Sequence, residues 1–244
     1  MERKKVLITG ASKGIGRAIA ITLAKQYHLI LHASKEESLT SLLLEIGPQH
    51  NILCADFKDV ESIKKFCQQL KKIAGKPLFG IVNNAGIAID KPLMFQSLNS
   101  MDDMINVNIK APLLISKTAL KIFFANKKGV LINIGSCVGE TGNAFQVVYS
   151  MTKAAMTVMT KSIAKEITAI DKNHKIRAVT ISPGFIDTYM TQKLTKEVKD
   201  KYLEMIPSAY LGNPADIANT VEFILSDKAS YINGTNIAVN GGIV

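Results

Sequence analysis

Tyr149 and Lys153 are four residues apart in the segment YSMTK, within a stretch whose apolar pattern predicts a helix. At this spacing the phenol and the ammonium group lie on the same helix face. A free tyrosine has a pKa of about 10, and a nearby positive charge lowers it by favouring the phenolate. We therefore expect Lys153 to lower the pKa of Tyr149, so that the phenol can exchange a proton with a carbonyl or alcohol oxygen. A solvent-exposed surface pair would have the same spacing, so other residues must distinguish the two interpretations.

Two further polar residues are placed where they could assist a proton transfer. Ser136 follows a predicted strand in NIGSCVGETG, where its hydroxyl could orient a substrate carbonyl and stabilise charge on the oxygen. Asn108 lies inside a predicted helix, although asparagine is a poor helix former. It could cap a break in that helix or hold a water that relays protons to Lys153. The same lysine could bind the ribose hydroxyls beside a nicotinamide.

A glycine-rich segment, TGASKGIG (9–16), follows the first predicted strand and opens the first predicted helix. Gly10, Gly14 and Gly16 would permit a tight turn and close approach of the backbone to a pyrophosphate. Their spacing differs from the G-x-G-x-x-G pattern, so an ordinary strand–helix turn is the alternative. The position after the first strand favours a nucleotide site.

The end of the second predicted strand indicates which nucleotide binds. A carboxylate there would favour the ribose hydroxyls of NAD, but the chain has Ser34 and Lys35. A hydroxyl and an ammonium group suit a 2′-phosphate, and Lys13 adds a second cation. The following Glu36 and Glu37 are interpreted as acids in the first turn of a helix, where the dipole favours them. NADP(H) is therefore the predicted cofactor.

Short apolar runs alternate with amphipathic segments along the chain. Strands are predicted at 5–9, 28–33, 51–55, 79–86 (with a loop), 129–136, 175–182 and 235–240. Helices are predicted at 14–26, 36–46, 60–74, 101–126 (interrupted near Pro112), 148–170 and 214–226. Strands without regular polar alternation, separated by helices, predict a single doubly wound α/β domain of Rossmann type over 1–244. Its seven-stranded parallel sheet would carry helices on both faces and bind ligands at the carboxyl ends of the strands.

The composition limits the possible functions. The 244 residues are 47% hydrophobic, enough for a sizeable core, and no apolar run is long enough to span a bilayer. The net charge of +10 indicates an acidic partner or a phosphorylated cofactor. Scattered basic residues and an aromatic content of 6% argue against nucleic-acid binding. Three cysteines without paired spacing predict no disulfide framework or metal site, and the expected location is the cytoplasm.

Several of these segments, taken in order, resemble the motifs of the short-chain dehydrogenase/reductase family, and the resemblance covers essentially the whole chain. They are TGASKGIG, NNAG (83–86), Asn108, Ser136, YSMTK and SPGFIDT (182–188). The resemblance implies a catalytic tetrad of Asn108, Ser136, Tyr149 and Lys153. Contacts to NADP(H) are expected from Gly10, Ser12, Lys13, Gly14, Ile15, Gly16, Ser34, Lys35, Asp56, Phe57, Asn84, Ala85, Gly86, Tyr149, Lys153, Pro183, Gly184, Ile186 and Thr188.

Within the family, the chain is most similar to reductases of β-ketoacyl thioesters carried on acyl carrier protein in fatty-acid biosynthesis. The stretches that carry this similarity are GSCVGETGNAFQVVYSMTKAA, SPGFIDTYMT, IPSAYLGNPADIAN and INGTNIAVNGGIV. Other possible substrates are acetoacetyl-CoA, a polyketide or aryl-polyene acyl chain, and a small ketone or sugar. A non-catalytic nucleotide-binding scaffold would be expected to lack part of the tetrad. Met101 stands where relatives often carry tryptophan, which leaves the substrate range open.

The resemblance also implies partners. An acidic carrier protein would use the positive charge, and the candidate docking residues are Lys127, Lys128, Lys172 and Lys175, for which a solvated surface is the alternative. A homotetramer built on helices 101–126 and 148–170 is expected, with a substrate lid at about 188–212. Cys137 and His32 lie near the predicted site, but packing is the preferred interpretation for both.

Overall fold

Seven parallel strands form one sheet in a computed structural model, which describes residues 3–75, 77–188 and 196–244. The strands are β1 (Lys5–Ile8), β2 (His28–Ala33), β3 (Asn51–Cys54), β4 (Leu78–Asn83), β5 (Lys128–Ile134), β6 (Lys175–Pro183) and β7 (Thr235–Val239). Their spatial order is β3-β2-β1-β4-β5-β6-β7. The predicted fold class is confirmed.

The connecting helices are α1 (Gly14–Leu23), α2 (Thr40–Ile46), α3 (Val60–Ala74), α4 (Leu98–Ile105), α5 (Ala111–Asn126), α6 (Val138–Thr141), α7 (Val147–Ile170), α8 (Lys196–Met205) and α9 (Pro214–Leu225). Helix α3 shows how local sequence sets such a boundary. The Asp59 carboxylate accepts hydrogen bonds from the backbone N–H groups of Glu61 and Ser62, which have no partner within the helix.

The sheet is covered on both faces because successive strand residues point to opposite sides. In β1, Val6 and Ile8 belong to a core with α1, α2 and α9, whereas Leu7 belongs to a core with α3, α5 and α7. All three side chains are fully buried. This explains why β1 is a continuous apolar run in the sequence.

Strand order reverses between β1 and β4, which pair directly although α1, α2 and α3 separate them in sequence. Beyond the carboxyl ends of these strands, the chain turns from β1 toward one edge of the sheet and from β4 toward the other, which leaves a crevice between the two loops. The glycine segment follows β1, and the NNAG segment begins at the end of β4. The topology therefore brings these two predicted motifs together.

Two predicted helices contain a turn of another kind than the α-helix. The 36–46 segment begins as a 3-10 turn over Glu36–Leu39 before α2. The break expected near Pro112 is instead a π-turn at Asn106–Lys110. Pro112 lies in the first turn of α5, where its missing N–H is tolerated. Part of the predicted lid, residues 189–195, lies outside the described residues, and the lid stays a prediction.

Candidate active site

Helix α7 carries Tyr149 in its first turn and Lys153 one turn later. The Nζ atom of Lys153 lies 5.7 Å from the centroid of the Tyr149 ring, so the predicted shared face is confirmed. The same Nζ donates a hydrogen bond to the backbone carbonyl of Ile134, at 2.9 Å. Since Ile134 is the last residue of β5, this bond fixes the amine at the carboxyl end of the sheet.

The pKa of Tyr149 is shifted upward, so the prediction that its neighbour Lys153 would leave it lowered is wrong. Burial raises the pKa of Tyr149 to about 12, and a hydrogen bond with the side chain of Ser136 only partly offsets that effect. Spacing showed that the two groups are neighbours, but it did not show how far burial of the phenol would oppose its ionisation. The phenol is therefore protonated at neutral pH, as a proton donor must be.

Lys153 is buried, with 6% of its surface exposed, so it is no surface residue. Burial lowers the pKa of Lys153 to about 8. A lysine in this range remains mostly charged at neutral pH but can release a proton much more readily than an exposed one. A Cβ at Gly86 would lie 3.4 Å from Lys153 Nζ, so the NNAG segment closes one side of the amine.

Asn108 lies in the π-turn between α4 and α5, where it is 2% exposed. Its Oδ1 accepts a hydrogen bond from the Ile87 N–H, and its Nδ2 donates to the Ile87 carbonyl, both at 2.9 Å. Nδ2 also donates to Thr152 Oγ1 at 3.0 Å. Asn108 thus joins the loop after β4 to α7 beside Lys153, instead of capping a helix end.

Ser136 lies two residues beyond the end of β5, in the loop that leads into α6. The Val138 N–H approaches its Oγ at 3.4 Å, and its hydroxyl forms a hydrogen bond with Tyr149. The structure therefore brings all four residues of the predicted tetrad to the carboxyl end of the sheet. Cys137 next to Ser136 is buried, and burial raises the pKa of its thiol, as expected for a packing residue.

The glycine loop is packed so tightly that side chains are excluded. A Cβ at Gly16 would collide with the Gly10 carbonyl oxygen and lie 2.5 Å from Asn84 Nδ2. A Cβ at Gly10 would lie 2.9 Å from Ala85 Cα, and the φ angle of Gly10 is +67°. Asn84 Nδ2 donates to the carbonyls of Thr9 and Gly10, at 2.9 and 3.1 Å. The loops after β1 and β4 thus form a shared cradle of backbone.

The loop after β6 contacts the same cradle. A Cβ at Gly14 would lie 3.6 Å from Thr188 Cγ2, which places Thr188 beside the glycine loop. Pro183 ends β6, and the Gly184 N–H donates to the Val239 carbonyl at 3.0 Å. Ile186 is buried and pairs with Gly212. Of this group, Thr188 is the predicted cofactor residue that the structure places nearest the glycine loop.

The residues expected to select the nucleotide are exposed at the end of β2. Ser34, Lys35 and Lys13 all lie at the surface, and the first two directly follow the last residue of the strand. Glu36 and Glu37 open the 3-10 turn, as interpreted from the sequence. Asp56 is also exposed, and its carboxylate accepts a hydrogen bond from the Lys58 N–H. Side chains here can contact a ligand without rearrangement of the core.

His32 is a site residue whose role the sequence did not indicate. Its Nδ1 accepts a hydrogen bond from the Gly10 N–H at 3.1 Å, and its Nε2 lies 3.1 Å from the Ala55 carbonyl. The ring stacks on Phe57, with centroids 3.9 Å apart. Phe57 is buried at 4% exposure, so this predicted cofactor residue presents its ring to His32. Packing was the expectation for His32, but the hydrogen bond to the glycine loop goes beyond it.

Across the described ranges, no group of three His, Cys, Asp or Glu residues could hold a metal ion. The helices within those ranges are all too short or too polar to cross a membrane.

The comparisons with known proteins agree with this geometry. Residues 10–244 match the family model described as enoyl-(acyl carrier protein) reductase. The chain is 37% identical to the 3-oxoacyl-[acyl-carrier-protein] reductase of Aquifex aeolicus, covering 100% of this chain and 98% of that one. It is 33% identical to the human (3R)-3-hydroxyacyl-CoA dehydrogenase, covering 97% and 94%.

Two solved structures share the fold over the full length of this chain. A short-chain dehydrogenase/reductase from Brucella melitensis superimposes with a TM-score of 0.87 at 28% identity and is covered to 98%. The second is a proposed NAD(P)-dependent gluconate 5-dehydrogenase from Beutenbergia cavernae, with NADP bound at low occupancy. It superimposes with a TM-score of 0.91 at 26% sequence identity, and the match covers 97% of that chain. The motifs, the strand order and these matches together establish that the chain belongs to the short-chain dehydrogenase/reductase family.

Proposed function

We propose that this protein reduces the C3 carbonyl of a β-ketoacyl thioester to the 3-hydroxyacyl form with NADPH. The observation that carries the proposal is the placement of a protonated Tyr149 and a buried Lys153 beside Ser136 and the glycine cradle. The 3-oxoacyl-[acyl-carrier-protein] reductases, which are similar over the whole chain, support the same substrate class.

The residues present fit a dinucleotide. The glycine loop has no room for a Cβ at Gly10 or Gly16. Because these positions carry no side chain, a pyrophosphate could approach the backbone N–H groups at the start of α1. Ser34, Lys35 and Lys13 offer a hydroxyl and two cations to a 2′-phosphate, and strand β2 does not end in a carboxylate. NADPH, when bound, would supply the hydride.

The protein residues would manage the proton and the charge on the oxygen. The Ser136 hydroxyl would donate a hydrogen bond to the carbonyl oxygen and orient it. Tyr149 would donate its proton to the same oxygen as negative charge develops there. The transfer is favourable because the alkoxide that forms is more basic than the phenolate that is left. The Lys153 ammonium would then stabilise the tyrosinate.

Asn108 would hold this arrangement in place. By binding both backbone groups of Ile87 and the hydroxyl of Thr152, it joins the NNAG side of the site to α7. Thr152 in turn donates to the Tyr149 carbonyl at 2.7 Å. A proton needed to restore the Tyr149 phenol would pass through Lys153, whose lowered pKa makes it a better donor than an exposed lysine.

An acidic acyl carrier protein is the proposed bearer of the substrate. The four expected docking lysines are close together around one cavity of about 450 Å³, which is lined by Asn126, Lys127, Lys128, Lys172, Asn173, His174 and Lys175. Lys127 and Lys128 pair with Asp171 and Asp227, at 3.7 and 3.4 Å, so part of the charge is already balanced. The positive cluster favours an acidic partner, as electrostatic complementarity requires.

The position of this cluster also bears on how a carrier could deliver its substrate. Lys128 and Lys175 begin β5 and β6, whereas Ser136 follows the far end of β5. Seven residues of strand span about 23 Å. A carrier held at the cluster would therefore face away from the site of the same chain, and delivery would need a neighbouring subunit.

A homotetramer would provide such neighbours. Exposed apolar side chains support association through α5 and α7, since Leu113, Met151 and Val158 are 48%, 53% and 63% exposed. Apolar residues on adjacent helix faces are typical of subunit contacts. The cytoplasm is the proposed location, and the free thiols of Cys54, Cys67 and Cys137 are consistent with a reducing compartment.

A second candidate function is oxidoreduction of a CoA thioester, favoured by the similarity to the human (3R)-3-hydroxyacyl-CoA dehydrogenase. Steady-state kinetics with matched β-ketoacyl groups on acyl carrier protein and on CoA, each with NADPH and NADH, separates the two. The proposal expects the highest kcat/KM for the carrier substrate with NADPH. Preference for the CoA thioester would support the second candidate, and no turnover of either thioester would refute both.

A further inference from the structure

His32 connects three segments of the proposed cofactor site although it touches none of the tetrad. It lies on β2, and its ring reaches Gly10 in the glycine loop and Ala55 after β3. Its backbone carbonyl accepts a second bond from that loop, from the Ala11 N–H at 2.9 Å. His32 is 4% exposed, so water does not replace these partners.

The two backbone partners determine the protonation state of the ring. The Gly10 N–H can only donate, so Nδ1 must present a lone pair, and the Ala55 carbonyl can only accept, so Nε2 must carry the proton. The neutral Nε2–H tautomer satisfies both bonds. Burial lowers the pKa of His32 to about 4, which keeps the ring in this neutral form at physiological pH.

These contacts bear on the loop that would hold the pyrophosphate. The two peptide groups that flank Gly10 are both held, because the Gly10 N–H donates to His32 Nδ1 and the Gly10 carbonyl accepts from Asn84 Nδ2. Gly10 has a φ of +67°, and its carbonyl oxygen lies so close to Gly16 that a Cβ at Gly16 would collide with it. The peptide group after Gly10 therefore has little room to move. Rotation of the peptide group before Gly10, whose N–H binds His32, would displace the backbone at the start of the loop and with it the amides that follow.

We infer that His32 is a positioning residue for NADPH binding, which orients the glycine loop by accepting a hydrogen bond from Gly10. The inference rests on the proposed function, because it assigns to His32 a part in binding the cofactor named there. It assigns the ring no contact with the cofactor and no part in proton transfer.

Three substitutions separate the two hydrogen bonds of the ring. His32→Asn keeps an acceptor near the position of Nδ1 and loses the donor to Ala55. His32→Gln keeps a polar group near the position of Nε2 and loses the acceptor for Gly10. His32→Leu removes both. A buried N–H group without a hydrogen-bond partner destabilises the conformation that contains it. If that conformation is the one that binds NADPH, its loss of stability would weaken NADPH binding about tenfold.

His50 provides a matched control. It is also a buried histidine, at 6% exposure, and its Nδ1 accepts the Leu29 N–H at 3.1 Å. Leu29 is the second residue of β2, at the amino end of the sheet and away from the glycine loop that follows β1. His50→Leu therefore loses the same kind of hydrogen bond without touching the proposed cofactor site.

The test measures the NADPH Kd by fluorescence titration, the kcat at saturating NADPH, and the melting temperature of each purified variant. We expect His32→Gln and His32→Leu to raise the Kd about tenfold while kcat at saturation changes less than about twofold. His32→Asn should stay within about threefold of the wild-type Kd, and His50→Leu should lower the melting temperature with an unchanged Kd.

A wild-type Kd in folded His32→Gln, or an equal loss of affinity in His50→Leu, would overturn the inference. If His32→Leu does not fold, His32→Gln and His32→Asn still give the comparison. Failure of the wild-type protein to bind NADPH would instead refute the proposed cofactor, so the two failures can be told apart.

Discussion

Around the glycine loop the buried groups are neutral and the cations lie at the surface, whereas around Tyr149 a chargeable amine is itself buried. Gly10 and Gly16 shape the first region by leaving no room for side chains, and Lys13 and Lys35 are exposed. In the second region, burial shifts the pKa of Tyr149 upward and that of Lys153 downward. The first region is suited to binding by shape, and the second to moving a proton.

Tyr149→Phe provides the strongest test of this contrast, because it removes the proposed proton donor and keeps the ring. We expect kcat for ketone reduction to fall by about 100-fold to 10,000-fold, while the NADPH Kd changes little. Single-turnover kinetics and fluorescence titration measure the two effects. Near-normal turnover would show that proton donation does not reside in this region.

A pair of glycine substitutions tests whether the two regions can be perturbed separately. A Cβ at Gly16 would collide with the glycine loop, and a Cβ at Gly139 would lie 2.8 Å from the backbone of Lys153 and Ala154 in α7. We expect Gly16→Ala to raise the NADPH KM and Gly139→Ala to lower kcat, each by about tenfold or more. If both variants changed the same parameter, the separation would be lost.

Ser34→Asp sharpens the contrast within the exposed part of the first region. A carboxylate at the end of β2 would repel a 2′-phosphate and could accept hydrogen bonds from ribose hydroxyls. The ratio of kcat/KM with NADPH to that with NADH should fall by about tenfold. Ser34→Asn is the neutral control, and an unchanged ratio in the aspartate variant would contradict the proposed selection by Ser34.

The pH dependence of kcat gives the smallest expected effect. The pKa of Lys153 is about 8, so the ammonium form is lost as the pH rises through that value. Reduction by the wild-type protein at saturating NADPH should therefore slow above pH about 8, by up to tenfold per unit. The slow residual activity of Lys153→Met should not show this decrease above pH about 8. A flat wild-type profile would mean that Lys153 does not supply the titrating charge.

Much of the fold followed from the sequence because buried parallel strands and amphipathic helices leave strong patterns. The bounds predicted for β2 and α3 match the structure residue for residue. The tetrad was predicted because Tyr149 and Lys153 share a helix face, Ser136 follows a predicted strand, and the family resemblance implies all four residues together. The π-turn carrying Asn108 was not predicted, since no side-chain pattern separates it from an ordinary helix break.

The pKa of Tyr149 and the role of His32 could not be predicted from the sequence, because both depend on which groups are buried together in the folded chain. Whether a phenol beside an ammonium group gains or loses acidity depends on how much water reaches it, and spacing along a helix does not report this. The role of His32 depends on the lateral pairing of β1 and β2, which brings Gly10 within reach of its ring. Phe57 was expected at the cofactor, but its stacking on His32 became visible only in three dimensions.

The π-turn at Asn106–Lys110 also sets the rotational phase of α5 relative to α4. Each helical residue turns the chain by about 100°, so loss of a single residue there would rotate everything that follows by that angle. The apolar face of α5, with Ile115, Ala119 and Phe123, would then turn away from the core it now fills. We therefore expect sequences of this fold to vary in length in their surface loops and to keep a constant residue count through this turn.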